Sequence, residues 1–81
     1  MEITVRYYAQ AREAAGKDEE RIVLDAGASL DALWHVLAAR HPALSPLEAG
    51  VSFAVGANPS ARETSLQAGD VVSILPPVSG G

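Results

Sequence analysis

The last eleven residues, Val71 to Gly81, carry no charged side chain, and they end Pro76-Pro77-Val78-Ser79-Gly80-Gly81. Chain ends are ordinarily exposed, so an uncharged end of this length is unusual. Proline fixes φ and lacks the N–H that a sheet ladder needs. Pro76 and Pro77 are therefore expected to end the last strand and to act as a stalk that carries the tail away from the sheet. Gly80 and Gly81 have no Cβ, so the last two peptide units can thread a channel too narrow for side chains. What reaches the bottom of that channel is the Gly81 carboxylate. A carboxylate is a poor electrophile because its charge repels nucleophiles. It reacts once one oxygen has become part of a better leaving group, for example in an acyl-adenylate made from ATP. A sulfur donor attacking the adenylate would leave a thiocarboxylate, whose softer sulfur could be passed to an electrophilic carbon. On this reading the chain supplies no catalytic side chain and binds no cofactor. The ATP belongs to an activating partner.

The remaining composition agrees that such chemistry is imported. There is no cysteine, which excludes a thiol nucleophile, a thiolate metal site and a disulfide. His35 and His41 lie six residues apart, do not share a helix face and have no evident third ligand, so both read as surface residues and no metal is expected. A net charge of −4 with only six Lys and Arg residues lacks the basic footprint of a nucleic-acid binder. Met1 to Tyr8 alternates and carries Glu2 and Arg6, unlike a signal peptide or membrane anchor, so a cytoplasmic protein with no membrane contact is expected. Eighty-one residues, 48% of them hydrophobic, suffice for one core and one domain. That domain is expected over residues 1–75, with a flexible tail over 76–81.

The elements that must hold this tail can be read from periodicity. Ile3, Val5 and Tyr7 alternate with Thr4, Arg6 and Tyr8, the pattern of a half-buried strand over Glu2 to Tyr8. Ala9 to Ala15 reads as a short helix closed by Gly16, and Lys17 to Glu20 as a solvated loop. Arg21 to Leu24 is a second strand, antiparallel to the first, extending a residue or two on each side. Ser29 is placed to cap a helix in which Leu30, Leu33, Trp34, Leu37 and Ala38 form one apolar stripe and Asp31 sits in the first turn. This makes Trp34 a core residue. Pro42 should stop the helix at His41, and Ala43 to Gly50 is expected to add one more helical turn, with Pro46 as a possible start. Val51 to Ala57 reads as a third strand ended by a turn at Asn58-Pro59-Ser60. Gly69-Asp70 turns the chain into Val71 to Leu75, with Val72 and Ile74 inward and Val71, Ser73 and Leu75 outward. Strand, strand, helix, strand, strand packs most economically as an α+β fold of the β-grasp type, a mixed sheet wrapped on one main helix. In that architecture the first and last strands pair in parallel.

Taken together, Tyr7-Tyr8-Ala9, Arg12-Glu13, Asn58, Leu66-Gln67-Ala68-Gly69-Asp70 and the Pro76-to-Gly81 ending resemble the small-subunit family of molybdopterin synthase, the MoaD-type sulfur carriers of the ubiquitin-like superfamily. The likeness runs nearly end to end. It implies that an E1-like enzyme adenylates Gly81, that a sulfur donor enzyme turns it into a thiocarboxylate, and that Pro76, Pro77, Val78, Ser79, Gly80 and Gly81 enter the active site of the large synthase subunit. There, two such sulfurs would make the dithiolene of molybdopterin from cyclic pyranopterin monophosphate, within a heterotetramer. The chain would thus be a non-catalytic carrier subunit of a two-subunit transferase. The resemblance further implies an apolar docking patch at Tyr8 and Leu75, both of which the alternation turns outward. Asn58 to Leu66 departs from the family, being shorter, with Arg62-Glu63 where a more apolar strand is usual. Two other readings stand beside this one. The same fold and ending serve carriers for thiamin, cysteine or tRNA thiolation and ubiquitin-like protein modifiers. A non-catalytic β-grasp interaction module could also end in an incidental Gly-Gly.

Overall fold

The computed structural model describes residues 1–77. β1 (Glu2–Tyr7) buries Ile3, Val5 and Tyr7 on one face, as its alternation dictates. The chain turns sharply after it. Tyr8 is still extended, Ala9 takes φ 49, and α1 (Ala9–Ala15) follows, closed by Gly16 in the left-handed region at φ 76.

β2 (Glu19–Val23) pairs antiparallel with β1, with Ile3 opposite Ile22 and Val5 opposite Glu20. The strand therefore reaches back two residues from Arg21, the limit of the extension expected from the sequence. Glu19 and Glu20 are sheet residues, not part of a solvated loop. α2 (Leu30–Arg40) is capped by Ser29, whose Oγ accepts from the Ala32 N–H at 3.1 Å, and it buries Leu30, Leu33, Trp34 and Leu37. His41, before Pro42, leaves helical geometry as expected.

The segment Pro42–Gly50 is a 3₁₀ helix of nine residues rather than a single turn, with Pro42 in its first turn and Pro46 inside it. A 3₁₀ helix leaves its first three N–H groups without a helical partner, so Pro42 costs it nothing.

β3 (Ser52–Val55) is followed not by a turn at Asn58-Pro59-Ser60 but by a fifth strand, β4 (Asn58–Ser60), antiparallel to it. The turn lies at Gly56-Ala57, with Gly56 at φ 59, the glycine-first pattern of two-residue hairpins. β5 (Val71–Leu75) then lies between β1, to which it is parallel, and β3, to which it is antiparallel. The sheet order is β2-β1-β5-β3-β4.

The mixed sheet wraps α2, and strands and helix share one core: Ile3, Val5, Ile22, Phe53, Val72 and Ile74 from the sheet, with Leu30, Leu33, Trp34 and Leu37 from α2. Trp34 meets Phe53 edge to face, ring centres 5.9 Å apart. This is the β-grasp fold.

Candidate functional site at the tail end of the sheet

β5 is an inner strand, bonded on both sides, and it delivers the chain to Pro76 and Pro77. Its parallel register with β1 runs from Thr4 beside Val71 to Tyr7 beside Ile74. Continued by one residue through the extended Tyr8, it sets Tyr8 beside Leu75. Both side chains face solvent, Tyr8 at 40% exposure and Leu75 at 36%, while their strand neighbours Tyr7 and Ile74 are buried. Two apolar side chains thus stand together on the outer face at the root of the tail. The Arg6 guanidinium lies 6.0 Å from the Tyr8 ring centre, at the outer reach of a cation–π contact.

On the other side of β5 the register runs Ser52 opposite Leu75, Phe53 opposite Ile74. Its continuation carries Pro77 past Gly50, the last residue of the 3₁₀ helix. Pro77 is half-buried there, close enough that a Cβ on residue 50 would stand 2.6 Å from its Cβ. The prolines end the strand as expected. Pro77, however, stays seated on the domain, so the stalk does not leave it at the Pro-Pro step. Val78, Ser79, Gly80 and Gly81 lie outside the described residues.

Beneath Tyr8 the site is braced by a polar cluster that sequence reasoning missed. The Tyr7 hydroxyl donates to Glu20 Oε1 at 2.5 Å, and His41 Nε2 donates to the same oxygen at 2.6 Å. A carboxylate can only accept, so the His41 proton in this contact is on Nε2. Lys17 Nζ and Arg40 Nη1 approach Glu20 Oε2 at 3.5 and 3.6 Å.

His41 is thus no surface residue: its side chain is 14% exposed and its ring meets Tyr7 edge to face. His35 does lie on the surface, with Nδ1 2.8 Å from the Asp31 carbonyl. Burial, then the bond and the charge of Glu20, push the Tyr7 hydroxyl well above its ordinary range. Burial also pushes the Glu20 carboxyl up. The hydrogen bonds from Tyr7 and His41 and the charges of His41 and Lys17 outweigh it, and the net shift is downward.

The signal that points to Glu20 is the period of β2: Glu20 shares the inner face with Ile22, and the alternation extends back to it. Arg62, in the loop after β4, donates from Nε to Asp31 Oδ1 at 2.8 Å and from Nη1 to Glu48 Oε2 at 3.3 Å, tying that loop to α2 and to the 3₁₀ helix. Among the described residues no pocket opens into the domain, no three His, Asp or Glu side chains could hold a metal ion, and no helix is long and apolar enough to cross a membrane.

Comparison with known proteins agrees with this architecture. The ThiS family model matches residues 5–81. The molybdopterin synthase sulfur carrier subunit of Chlamydomonas reinhardtii is 39% identical, aligned over the whole of both chains. Among solved structures, SAMP1 of Haloferax volcanii, a small archaeal modifier protein, superposes with a TM-score of 0.89 at 26% identity over all of both chains. The putative molybdopterin converting factor subunit 1 of Pyrococcus furiosus gives 0.87 at 32% identity, over 96% of this chain and 99% of that one. A complex of subunits 1 and 2 of the molybdopterin-converting factor of Helicobacter pylori contains a chain that matches at 0.71 and 26% identity, over all of both. The chain belongs to the ThiS family, alongside the molybdopterin synthase sulfur carrier subunits.

Proposed function

We propose that this chain is the sulfur carrier subunit of molybdopterin synthase, acting in molybdenum cofactor biosynthesis through its Gly81 carboxylate. The observation that carries the reading is the end-to-end likeness to such a subunit at 39% identity, together with a tail that issues from an inner strand beside outward Tyr8 and Leu75.

In this role an E1-like partner adenylates Gly81 with ATP, and AMP leaves as a sulfur donor installs the thiocarboxylate. With Pro77 seated on the domain, residues Val78 to Gly81 then enter the large subunit, where the sulfur passes to cyclic pyranopterin monophosphate. The Helicobacter pylori complex supports a large-subunit partner. Tyr8 and Leu75 give that partner an apolar surface to cover, which would locate the tail at its active site. The carrier contributes position and a carboxylate; the partners contribute the catalytic side chains.

The test is the intact mass of the chain after incubation with ATP, its activating enzyme and a sulfur source. Replacement of one terminal oxygen by sulfur, reversed on adding the large subunit and the pterin precursor, is the expected result. A chain that is never adenylated overturns the reading. A shift that persists in the presence of the large subunit assigns the carrier to another thiolation pathway. The likeness to SAMP1 supports a second reading as a protein modifier, which the same experiment in a cell extract would reveal as covalent conjugates of the chain to larger proteins. Deleting Gly81 is expected to abolish sulfur transfer and leave the melting temperature unchanged.

A further inference from the structure

Gly50 stands where the antiparallel register of β3 and β5, continued two residues past Ser52–Leu75, meets Pro77. Proline has no N–H to extend the ladder, and among the described residues no backbone hydrogen bond outside the helices and strands reaches the Pro77 carbonyl. Packing holds it instead. The pyrrolidine ring lies over the Gly50 backbone, in the space a side chain would fill: a Cβ on residue 50 would be 2.6 Å from Pro77 Cβ and 3.0 Å from its Cγ. Carbon atoms at van der Waals contact are about 3.5–4.0 Å apart, so one of the two residues would have to move. Gly50 is not among the glycines with positive φ. Glycine is required here by the approach of the ring and not by the backbone angle.

We propose that Gly50 is a positioning residue for sulfur transfer: it seats Pro77 and so fixes the point and direction from which Val78 to Gly81 leave the domain. This rests on the carrier reading above. The body of the carrier docks through its outer face, and the reacting carboxylate is four residues beyond Pro77. An error of direction at residue 77 therefore displaces the carboxylate while leaving the docking surface intact. Misplacement of a reacting group by about 1 Å can cost on the order of 100-fold in rate.

The test is a double-mutant cycle with Gly50→Ala and Pro77→Gly, the latter removing both ring carbons that residue 50 would strike. With the thiocarboxylated carrier, the large subunit and the pterin precursor, Gly50→Ala is expected to lower kcat at least about tenfold with KM for the carrier little changed. In the Pro77→Gly background the same substitution is expected to cost less than about threefold, because nothing is left to displace. Without any partner, the wild-type chain should show nuclear Overhauser contacts between the Gly50 α-protons and the Pro77 ring, lost in Gly50→Ala while the β3–β5 contacts persist.

Equal losses in both backgrounds, or full activity of Gly50→Ala, overturn the proposal. So does unfolding of Gly50→Ala in both backgrounds, which would make Gly50 merely structural. Failure of the wild-type chain to accept sulfur would instead overturn the carrier reading, and the Overhauser contacts would still report on the seat.

Discussion

At the scale of single residues, Glu20 shows how one carboxylate can organise a junction. Its side chain is 7% exposed and joins Tyr7 of β1 to His41 at the end of α2, with Lys17 and Arg40 nearby. Replacing it with Gln leaves the Tyr7 hydroxyl and the His41 N–H competing for a weaker acceptor. Glu20→Gln is expected to cost about 1–3 kcal/mol at neutral pH, read from urea unfolding. The Glu20 carboxyl is held below its ordinary 4.5 in the folded chain, so its contribution is present above pH 4.5 and is lost as pH falls through the lower folded value. The unfolding midpoint of the wild type should therefore drop more steeply below pH 4.5 than that of Glu20→Gln. Parallel acid limbs would show that Glu20 gains nothing from its partners. Leu75 presents the opposite case, an exposed apolar residue that the proposed docking would cover. Leu75→Glu is expected to weaken binding of the large subunit at least about tenfold in a titration, with a melting temperature close to that of the wild type, since a buried apolar anchor is worth about 2 kcal/mol or more at an interface. The outward setting of Tyr8 and Leu75 was legible in simple alternation. The Glu20 cluster was legible only by extending the β2 alternation backwards through two charged residues, where acidic side chains more often mark a loop.

At the scale of elements, local chemistry agrees with the fold nearly everywhere: Ser29 caps α2, Gly16 closes α1, and Pro42 marks the passage from α2 into the 3₁₀ helix. The exception is β4. Asn58-Pro59-Ser60 has turn residues, yet it pairs with β3, Ala54 opposite Pro59. Proline is tolerated because β4 is an edge strand, whose missing N–H can face solvent, so a turn-like composition and a strand are compatible at an edge of the sheet and not in its interior. Sheet order was the missing information, and a single sequence does not contain it. The turn that does close this hairpin depends on Gly56, at φ 59 and with its N–H bonded to the Val71 carbonyl at 2.8 Å. Gly56→Ala places a Cβ in the left-handed region and is expected to cost about 1–2 kcal/mol, measured as a shift in the denaturation midpoint. A cost near zero would mean that the β3–β4 hairpin relaxes into another turn without loss.

At the scale of the whole molecule, the first and last strands lie side by side in parallel at the middle of the sheet, so the strand that carries the tail is also one of the best supported. On the proposed function stability and chemistry are thereby separated: the core fixes β5, and the carboxylate that would react lies beyond it in the sequence. The inner place of the last strand was legible in part from the β-β-α-β-β order. The seat of Pro77 on Gly50 was not, because it depends on how far the β3–β5 register runs. The separation makes a prediction about Trp34, which is fully buried against Phe53 and whose indole N–H has no hydrogen-bond partner among the described residues. Trp34→Ala is expected to cost about 3–5 kcal/mol. A chain of this length has only about 4–12 kcal/mol of stability in all, so the variant should be close to its unfolding transition. If the core serves only to hold β5 in place, sulfur transfer by Trp34→Ala should fall in proportion to the folded fraction measured by circular dichroism. The rate per folded molecule should then stay near the wild-type value. Gly50→Ala is expected to do the reverse, keeping its folded fraction and losing rate. A fall in rate per folded molecule for Trp34→Ala would mean that the core also sets the tail's position, with α2 acting through Phe53 and β3 on the residues that face Pro77.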